Sequence, residues 1–276
     1  MKKGENSIMR YHALLAAMVL ATATPALAQE AAAPVTISGS FGLASDYRFR
    51  GVSQTDEEMA LQGGLTASHE SGFYAGTWGS NLAGWGTFGG SNIELDLFAG
   101  YTTELANGVV IDAGVLWYFY PAGADDTAFA EPYFKVSGDV GPVSVLAGVA
   151  YAPKQKALGN YSNTPQSTGQ KQDNLYIWGD VSGSMPGLPV TLKAHLGYSN
   201  GNPGLGPNGT SLSPTGEYLD WMIGADIPYG PLTFGVAYVD TDITRSQSAY
   251  IQPGFANSEG GSIADATVVF SVTAAF

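Results

Sequence analysis

Apolar and polar residues alternate with a period of two along nearly the whole chain after residue 34. In one segment Ile93, Leu95 and Leu97 occupy one side, while Glu94 and Asp96 occupy the other. Successive side chains of a β-strand point to opposite faces, so this pattern predicts strands with one apolar and one polar face. It recurs in twelve segments, at residues 35–50, 59–68, 72–82, 93–101, 109–119, 130–136, 143–151, 175–181, 190–198, 219–227, 232–238 and 268–276.

The connections between these segments alternate between short and long. The short ones lie at 70–72, 104–108, 139–142, 182–189 and 228–231; the long ones lie at 51–58, 83–91, 121–127, 153–173, 200–217 and 242–262. After residue 34, no run of residues approaches the roughly 20 apolar residues of a membrane-spanning helix. Strands can cross lipid only as a closed cylinder, because every backbone polar group there needs a partner. We therefore predict an all-β fold, a closed antiparallel transmembrane β-barrel of about 12 strands with short periplasmic turns and long extracellular loops.

The first 28 residues have the order of a secretory signal peptide. Basic residues precede an apolar run at 14–23, and small residues form a cleavage site between Ala28 and Gln29. Met9 is an alternative start of the chain. We therefore expect an exported protein whose mature part, 29–276, is a single outer-membrane domain.

Outward-facing aromatic residues separate this interpretation from a soluble β-sandwich, which also alternates apolar and polar faces. Most of them fall at the strand ends next to the long loops, where amphipathic rings gather at a membrane interface. This predicted outer girdle contains Tyr47, Phe49, Trp117, Phe119, Tyr151, Tyr198, Trp221 and Tyr238. Tyr101 and Phe276 are expected in the inner girdle.

The composition excludes several classes of function. The chain has a formal net charge of −13, which argues against nucleic acid as a partner, since phosphate contacts need clusters of Lys and Arg. It has no cysteine, so it has neither disulfides nor thiolate metal sites. Its three histidines show no ligand spacing. We accordingly expect no metal site and no cofactor.

Charged residues fall on the inward side of the predicted barrel. Eight acids and four bases share that side, together with one histidine, and favour cations modestly if water fills the space. Twelve strands lie between the filled interior of about 8 strands and the open channel of about 16. We therefore predict a narrow passive pore for ions or small polar solutes; the alternative is a plug of salt bridges without conductance. The predicted pore-lining residues are Asp46, Arg48, Arg50, Glu94, Asp96, Asp112, Glu131, Lys135, Asp180, Lys193, His195, Asp220 and Asp226.

Two other functions remain open alternatives. A lipid enzyme needs a nucleophile next to a base, but His195 and Ser199 are four strand residues apart, roughly 13 Å at about 3.3 Å per residue. We therefore predict no catalytic residues. An adhesin or receptor would use the long loops, among which 200–217 is rich in Gly, Pro, Asn and Ser.

Two stretches, at 46–55 and 72–81, together with Gln62-Gly63-Gly64 between them and the closing strand, resemble the TorF-type porin family of proteobacteria. The resemblance implies an outer-membrane barrel that is called a porin by its architecture, with no established solute. The last strand, 269–276, alternates and ends in Phe276, and so resembles the signal read by the bacterial barrel-assembly machinery. Outer-membrane lipid and lipopolysaccharide are the other expected partners.

Overall fold

The computed structural model describes residues 34–159, 169–203, 211–251 and 255–276. The predicted signal peptide and its cleavage site between Ala28 and Gln29 lie outside the described residues. The described strands are β1 (Val35–Ala44), β2 (Arg48–Phe49), β3 (Val52–Ser53), β4 (Ala60–His69), β5 (Phe73–Asn81), β6 (Ile93–Glu104), β7 (Val110–Phe119), β8 (Phe129–Val140), β9 (Val143–Gln155), β10 (Gln172–Ser184), β11 (Thr191–Gly201), β12 (Glu217–Tyr229), β13 (Leu232–Thr241) and β14 (Thr267–Ala275). A short helix, α1, spans Arg245–Ile251, and 3-10 helices span Gly84–Gly90 and Lys156–Leu158.

Twelve of these strands, β1 and β4 to β14, form one closed antiparallel barrel in which neighbours in sequence are neighbours in space. The ring closes where β1 pairs with β14, from Ser40 opposite Ala275 to Ala44 opposite Ser271. Next to that pair, the backbones of Gly39 and Phe276 exchange two hydrogen bonds of 2.8 and 3.0 Å. Closure pairs the first and last strands of the sheet with each other, so neither is left as a free edge over this stretch. The predicted twelve-stranded barrel is confirmed, and short turns alternate with long loops as predicted.

The first predicted strand is shorter than the alternation indicated. β1 ends at Ala44, and the chain then turns into the barrel, where β2 and β3 pair as a two-stranded hairpin. Arg50 (φ 48°) and Gly51 (φ 80°) form its turn with left-handed backbone angles. We call residues 45–59 the inward segment. The placement of Tyr47 and Phe49 in the outer girdle was therefore wrong: Tyr47 is only 4% exposed, and the ring of Phe49 packs edge-on against Tyr118 with centroids 6.0 Å apart.

The outside of the barrel is apolar. Aliphatic side chains such as Ile37, Leu65 and Ile223 point away from the barrel and are exposed, as a lipid-facing surface requires. The other predicted girdle residues lie on this outer surface, exposed or half-exposed: Trp117, Phe119, Tyr151, Tyr198, Trp221, Tyr238, Tyr101 and Phe276. Among the described residues, no helix has the length and apolar character to cross a membrane.

Several large aromatic side chains of the inner wall lie next to a glycine of the adjacent strand. A Cβ atom added to Gly148 would lie 2.3 Å from the Trp178 ring, and one added to Gly114 would lie 2.3 Å from the Tyr133 hydroxyl. The cross-strand pairs of this kind are Trp78 with Gly64, Phe98 with Gly76, Tyr74 with Gly100, Tyr133 with Gly114 and Trp178 with Gly148. Glycines therefore make room for rings that would otherwise fill the lumen.

The two ends of the lumen differ in packing. At the short-turn end, the inward side chains of Thr36, Ser38 and Ser144 are exposed. At the long-loop end, the inward residues Ala60, Ala152 and Ser199 are all 0% exposed. The interior is thus open at the short-turn end and packed at the long-loop end.

Apolar residues of the long loops form a cluster that covers the inward segment. Val52 of the inward segment belongs to it, together with Trp85 and Phe255, whose rings meet edge-on at 4.7 Å. Ile243 and Ile263, from the loop between β13 and β14, complete the cover. The inward segment is therefore held between the barrel wall and the outer loops.

Candidate functional site

Arg48 fastens the inward segment to the last long loop. Its guanidinium pairs with Asp46 and, at 2.8 Å, with Glu57, both in the inward segment. It also donates a 2.7 Å hydrogen bond to the backbone oxygen of Ile263. Charged hydrogen bonds of this kind are stronger than neutral ones. Arg48 thus connects the start of the barrel sequence with a loop near its end.

Arg50 fastens the same segment to the opposite wall. It donates two hydrogen bonds, of 2.7 and 2.8 Å, to the two carboxylate oxygens of Glu131 on β8. Its guanidinium lies over the Tyr176 ring, 4.1 Å from the centroid. All three groups are buried, so this pair is little screened by solvent.

Glu94 on β6 accepts hydrogen bonds from two tyrosines instead of a base. The Tyr47 hydroxyl donates at 2.7 Å and the Tyr120 hydroxyl at 3.0 Å. Burial and the nearby carboxylates of Glu94 and Asp96 raise the pKa of Tyr120, just outside β7, well above its ordinary value. The hydroxyl therefore stays protonated and keeps donating.

Most of the remaining inward charges are paired. Lys135 lies 2.6 Å from Asp112, and Lys193 lies 2.6 Å from Asp226. Each of these two ion pairs joins two neighbouring strands of the barrel wall. Four bases therefore neutralise carboxylates inside the barrel, Arg48, Arg50, Lys135 and Lys193.

His195 contacts three other polar side chains inside the barrel. Its Nδ1 lies 2.6 Å from Asp180, and its Nε2 lies 2.8 Å from the Tyr176 hydroxyl and 3.2 Å from Asp220. Both ring nitrogens are engaged with groups other than Ser199. The pair that sequence reasoning considered for catalysis is thus not assembled.

Asp96 differs from the other inward acids. It is 4% exposed, and its Oδ1 has no hydrogen-bond partner among the described residues. It borders a cavity of about 220 Å³ that lies between the inward segment and the barrel wall. Arg50, Tyr118 and His195 also line this cavity.

All thirteen predicted pore-lining residues lie inside the barrel, as their burial and their contacts with one another indicate. Sequence reasoning missed the aromatic part of the cavity lining, namely Tyr47, Phe49, Trp78, Tyr118, Tyr133, Tyr176 and Trp178. A usable signal existed for several of them, because they share the strand parity of the inward charges and lie opposite glycines. Glu57, which pairs with Arg48, was missed because it falls in a predicted loop.

Comparison with solved structures gives the same architecture at low sequence identity. The NanC porin, in its rhombohedral crystal form, superposes with a TM-score of 0.55 and 12% identity, covering 87% of this chain and 99% of that chain. The outer membrane channel DcaP of Acinetobacter baumannii gives 0.40 at 14% identity, covering 88% and 97%. An anion-selective porin from Comamonas acidovorans gives 0.37 at 12%, covering 88% and 99%. The first likeness shows the fold alone, and the other two are too distant to carry an argument.

At the level of sequence, no curated protein matches the chain. The TorF-type label stays a prediction. A family model described as a bacterial protein of unknown function, Gcw_chp, matches residues 28–276, which is almost the whole chain. This barrel with its inward segment therefore belongs to the Gcw_chp family.

Proposed function

We propose that this protein is a porin-like barrel of the bacterial outer membrane that passes ions and small polar solutes and favours cations. The observation that carries the proposal is a closed barrel with an apolar outside and a charged, partly open inside. Such a barrel encloses a polar path across lipid while hiding its backbone groups. The fold likeness to the NanC porin agrees with this role.

The location follows from the same features. The signal peptide at 1–28 directs export, and cleavage after Ala28 releases the mature chain. The barrel-assembly machinery takes up the last strand, whose terminal Phe276 lies at the β1–β14 seam. Outer-membrane lipid and lipopolysaccharide then surround the apolar face, with the short turns toward the periplasm.

The passage is narrow and has one closed end. Solutes enter the open vestibule at the periplasmic end, where Thr36, Ser38 and Ser144 are exposed. The inward segment and the aromatic cluster around it occupy the outer half of the lumen. Passage therefore requires movement of the inward segment, so we expect small and infrequent current steps.

The cation preference comes from carboxylates that no base neutralises. Among the described residues, each of the four inward bases has an acidic partner, whereas Glu94 and Asp96 have no basic partner. In a confined space of low dielectric, such an excess attracts cations more strongly than in water.

Planar-bilayer recording under a KCl gradient tests this proposal. The full-length protein is processed in cells, purified in detergent and checked for folding by its heat-modifiable gel mobility. We expect current steps whose reversal potential has the sign of cation preference. A reversal potential of the opposite sign would reject the preference, and folded barrels that never give current would reject the pore.

The packed outer half favours a second candidate, a non-conducting barrel that presents its loops at the surface. The cluster of Trp85, Phe255 and Ile263 above the inward segment supports it. If this candidate is correct, neither the protein nor a variant without the inward segment gives current steps in planar bilayers. The function then lies in the loops and not in the lumen.

A further inference from the structure

One buried carboxylate inside the barrel lacks the partner that all its counterparts have. Among the described residues, the other buried carboxylates each accept a hydrogen bond or ion pair: Asp46, Glu94, Asp112, Glu131, Asp220 and Asp226. Asp96 has an Oδ1 without any donor. A buried carboxylate oxygen without a partner is costly, and a bound cation removes that cost.

The charges around Asp96 do not supply this cation. Its charged neighbours are the carboxylates of Glu94 and Glu131. Arg50, a base in the cavity lining, is held by Glu131 at 2.7 Å. Glu94 receives only neutral tyrosine hydroxyls. In the part of the cavity next to Asp96, two carboxyl groups, those of Asp96 and Glu94, therefore have no basic partner among the described residues.

Aromatic rings stand on both sides of this carboxylate. Asp96 lies directly opposite Trp78 on β5 and opposite Tyr118 on β7, so the three inward side chains form one row. Directly opposite residues have Cβ atoms about 4.5–5.5 Å apart. Trp78 lies next to Gly64, meets the Tyr47 ring edge-on with centroids 5.4 Å apart, and lines the cavity. Indole and phenol faces attract cations, and organic ammonium ions most characteristically.

The size and ligand chemistry of the chamber decide between classes of cation. Its volume of about 220 Å³ is room for roughly seven waters at about 30 Å³ each, enough for a small amine. A bare metal ion such as Ca²⁺ usually takes about six or more oxygen ligands. Among the described residues, no group of acidic or histidine side chains has the arrangement of a metal site.

We infer that the chamber binds a small organic ammonium ion, with Asp96 as its counter-charge and Trp78 and Tyr118 as its aromatic walls. This inference rests on the proposed function, since it names the solute class that the same lumen accepts. The ion enters from the open short-turn end and stops against the inward segment, because the lumen beyond it is packed.

Isothermal titration calorimetry of the folded, full-length processed protein tests the site without any need for current. Tetramethylammonium chloride is the probe, and sodium chloride at the same ionic strength is the reference. We expect saturable heat with tetramethylammonium only. Asp96→Asn keeps the size of the side chain and removes its charge, and we expect about a tenfold or greater loss of affinity, the effect of one poorly screened charge pair.

Asp139→Asn is the matched control. It removes the same charge at the short-turn mouth, where Asp139 accepts a hydrogen bond from Ser144 outside the chamber, and asparagine keeps that acceptor. We expect its affinity to equal that of the wild type. Trp78→Phe keeps a weaker aromatic face and should reduce affinity only a few-fold.

The outcomes separate this inference from the proposed function. Binding without any bilayer current keeps the site and rejects the pore. Current without saturable tetramethylammonium heat keeps the pore and rejects the site. Equal binding by the wild type and Asp96→Asn, or equal competition by sodium, also rejects the inference.

Discussion

At the residue scale, the interior depends on fits between particular side chains rather than on a general polar character. Arg50 satisfies both oxygens of Glu131 and lies on Tyr176. A lysine could not make this two-pronged contact, because its ammonium is a point charge. The aromatic rings on the wall have a comparable requirement, since they need glycine on the adjacent strand.

Gly148→Ala tests that requirement. Its new Cβ would lie 2.3 Å from the Trp178 ring, in a buried position where the ring has little room to move. We expect a loss of about 1–3 kcal/mol in the free energy of unfolding, the usual cost of overpacking. Urea unfolding in detergent micelles, followed by tryptophan fluorescence, measures it.

Gly179→Ala is the control for this substitution. The nearest atom to its added Cβ is the Leu146 backbone oxygen at 3.6 Å, an ordinary contact. Because alanine suits a strand better than glycine, we expect no loss of stability at this position. If both variants lose the same stability, the ring-over-glycine fit does not matter.

At the scale of elements, the inward segment occupies the long-loop half of the lumen. Arg50 ties it to the barrel wall, and Arg48 ties it to the last long loop. Tyr47 packs in the aromatic cluster around the segment, and Val52 packs in the apolar cluster under the long loops. These contacts come from several strands and loops. The segment is therefore packed within the barrel and is not a surface loop; under the proposed function it acts as a stopper.

Replacing residues 46–57 with a Gly-Ser linker of equal length should open this stopper. We expect larger and longer current steps in planar bilayers than the wild type gives, because the linker lacks the arginines and aromatic rings that fill the outer half. The control exchanges residues 122–126 in another long loop, all exposed except the half-buried Gly123, for Gly-Ser. Unchanged conductance in the linker variant, with heat-modifiable folding intact, would contradict the stopper role.

At the scale of the whole molecule, barrel closure separates an apolar outer face from an interior that holds the charged residues. The outer face carries exposed apolar residues on all sides, a pattern that water would not tolerate but lipid requires. The interior holds the charges, in pairs that span strands. The apolar outer face therefore accounts both for the barrel fold of this chain and for its place in a membrane.

Cell fractionation tests this conclusion directly. We expect the chain in the outer-membrane fraction, released only by detergent, with an intact mass that corresponds to residues 29–276. Its gel mobility should change on heating, since a closed barrel resists the detergent until it unfolds. Recovery as a detergent-free periplasmic monomer would overturn the barrel, its orientation and its lumen together.

The prediction from sequence was most accurate where structure depends on local periodicity. Alternation identified the twelve strands and placed Glu94 and Asp96 inside, because side chains in a strand change face at every residue. It failed after Ala44, where alternation continues through Tyr47 and Phe49 although the barrel strand has ended. Periodicity records which side a residue faces relative to its neighbours, not where the strand turns.

The sequence by itself determined the number of strands, their two faces and the alternation of turns and loops, because each of these follows from the residues of a single segment. Only the tertiary structure decided that residues 45–59 fold inward and that Asp96 Oδ1 has no hydrogen-bond partner among the described residues. The contacts responsible join Arg50 to Glu131 and Arg48 to Ile263, far apart in the chain. Such contacts exist only once the cylinder has closed and brought opposite walls within hydrogen-bonding distance.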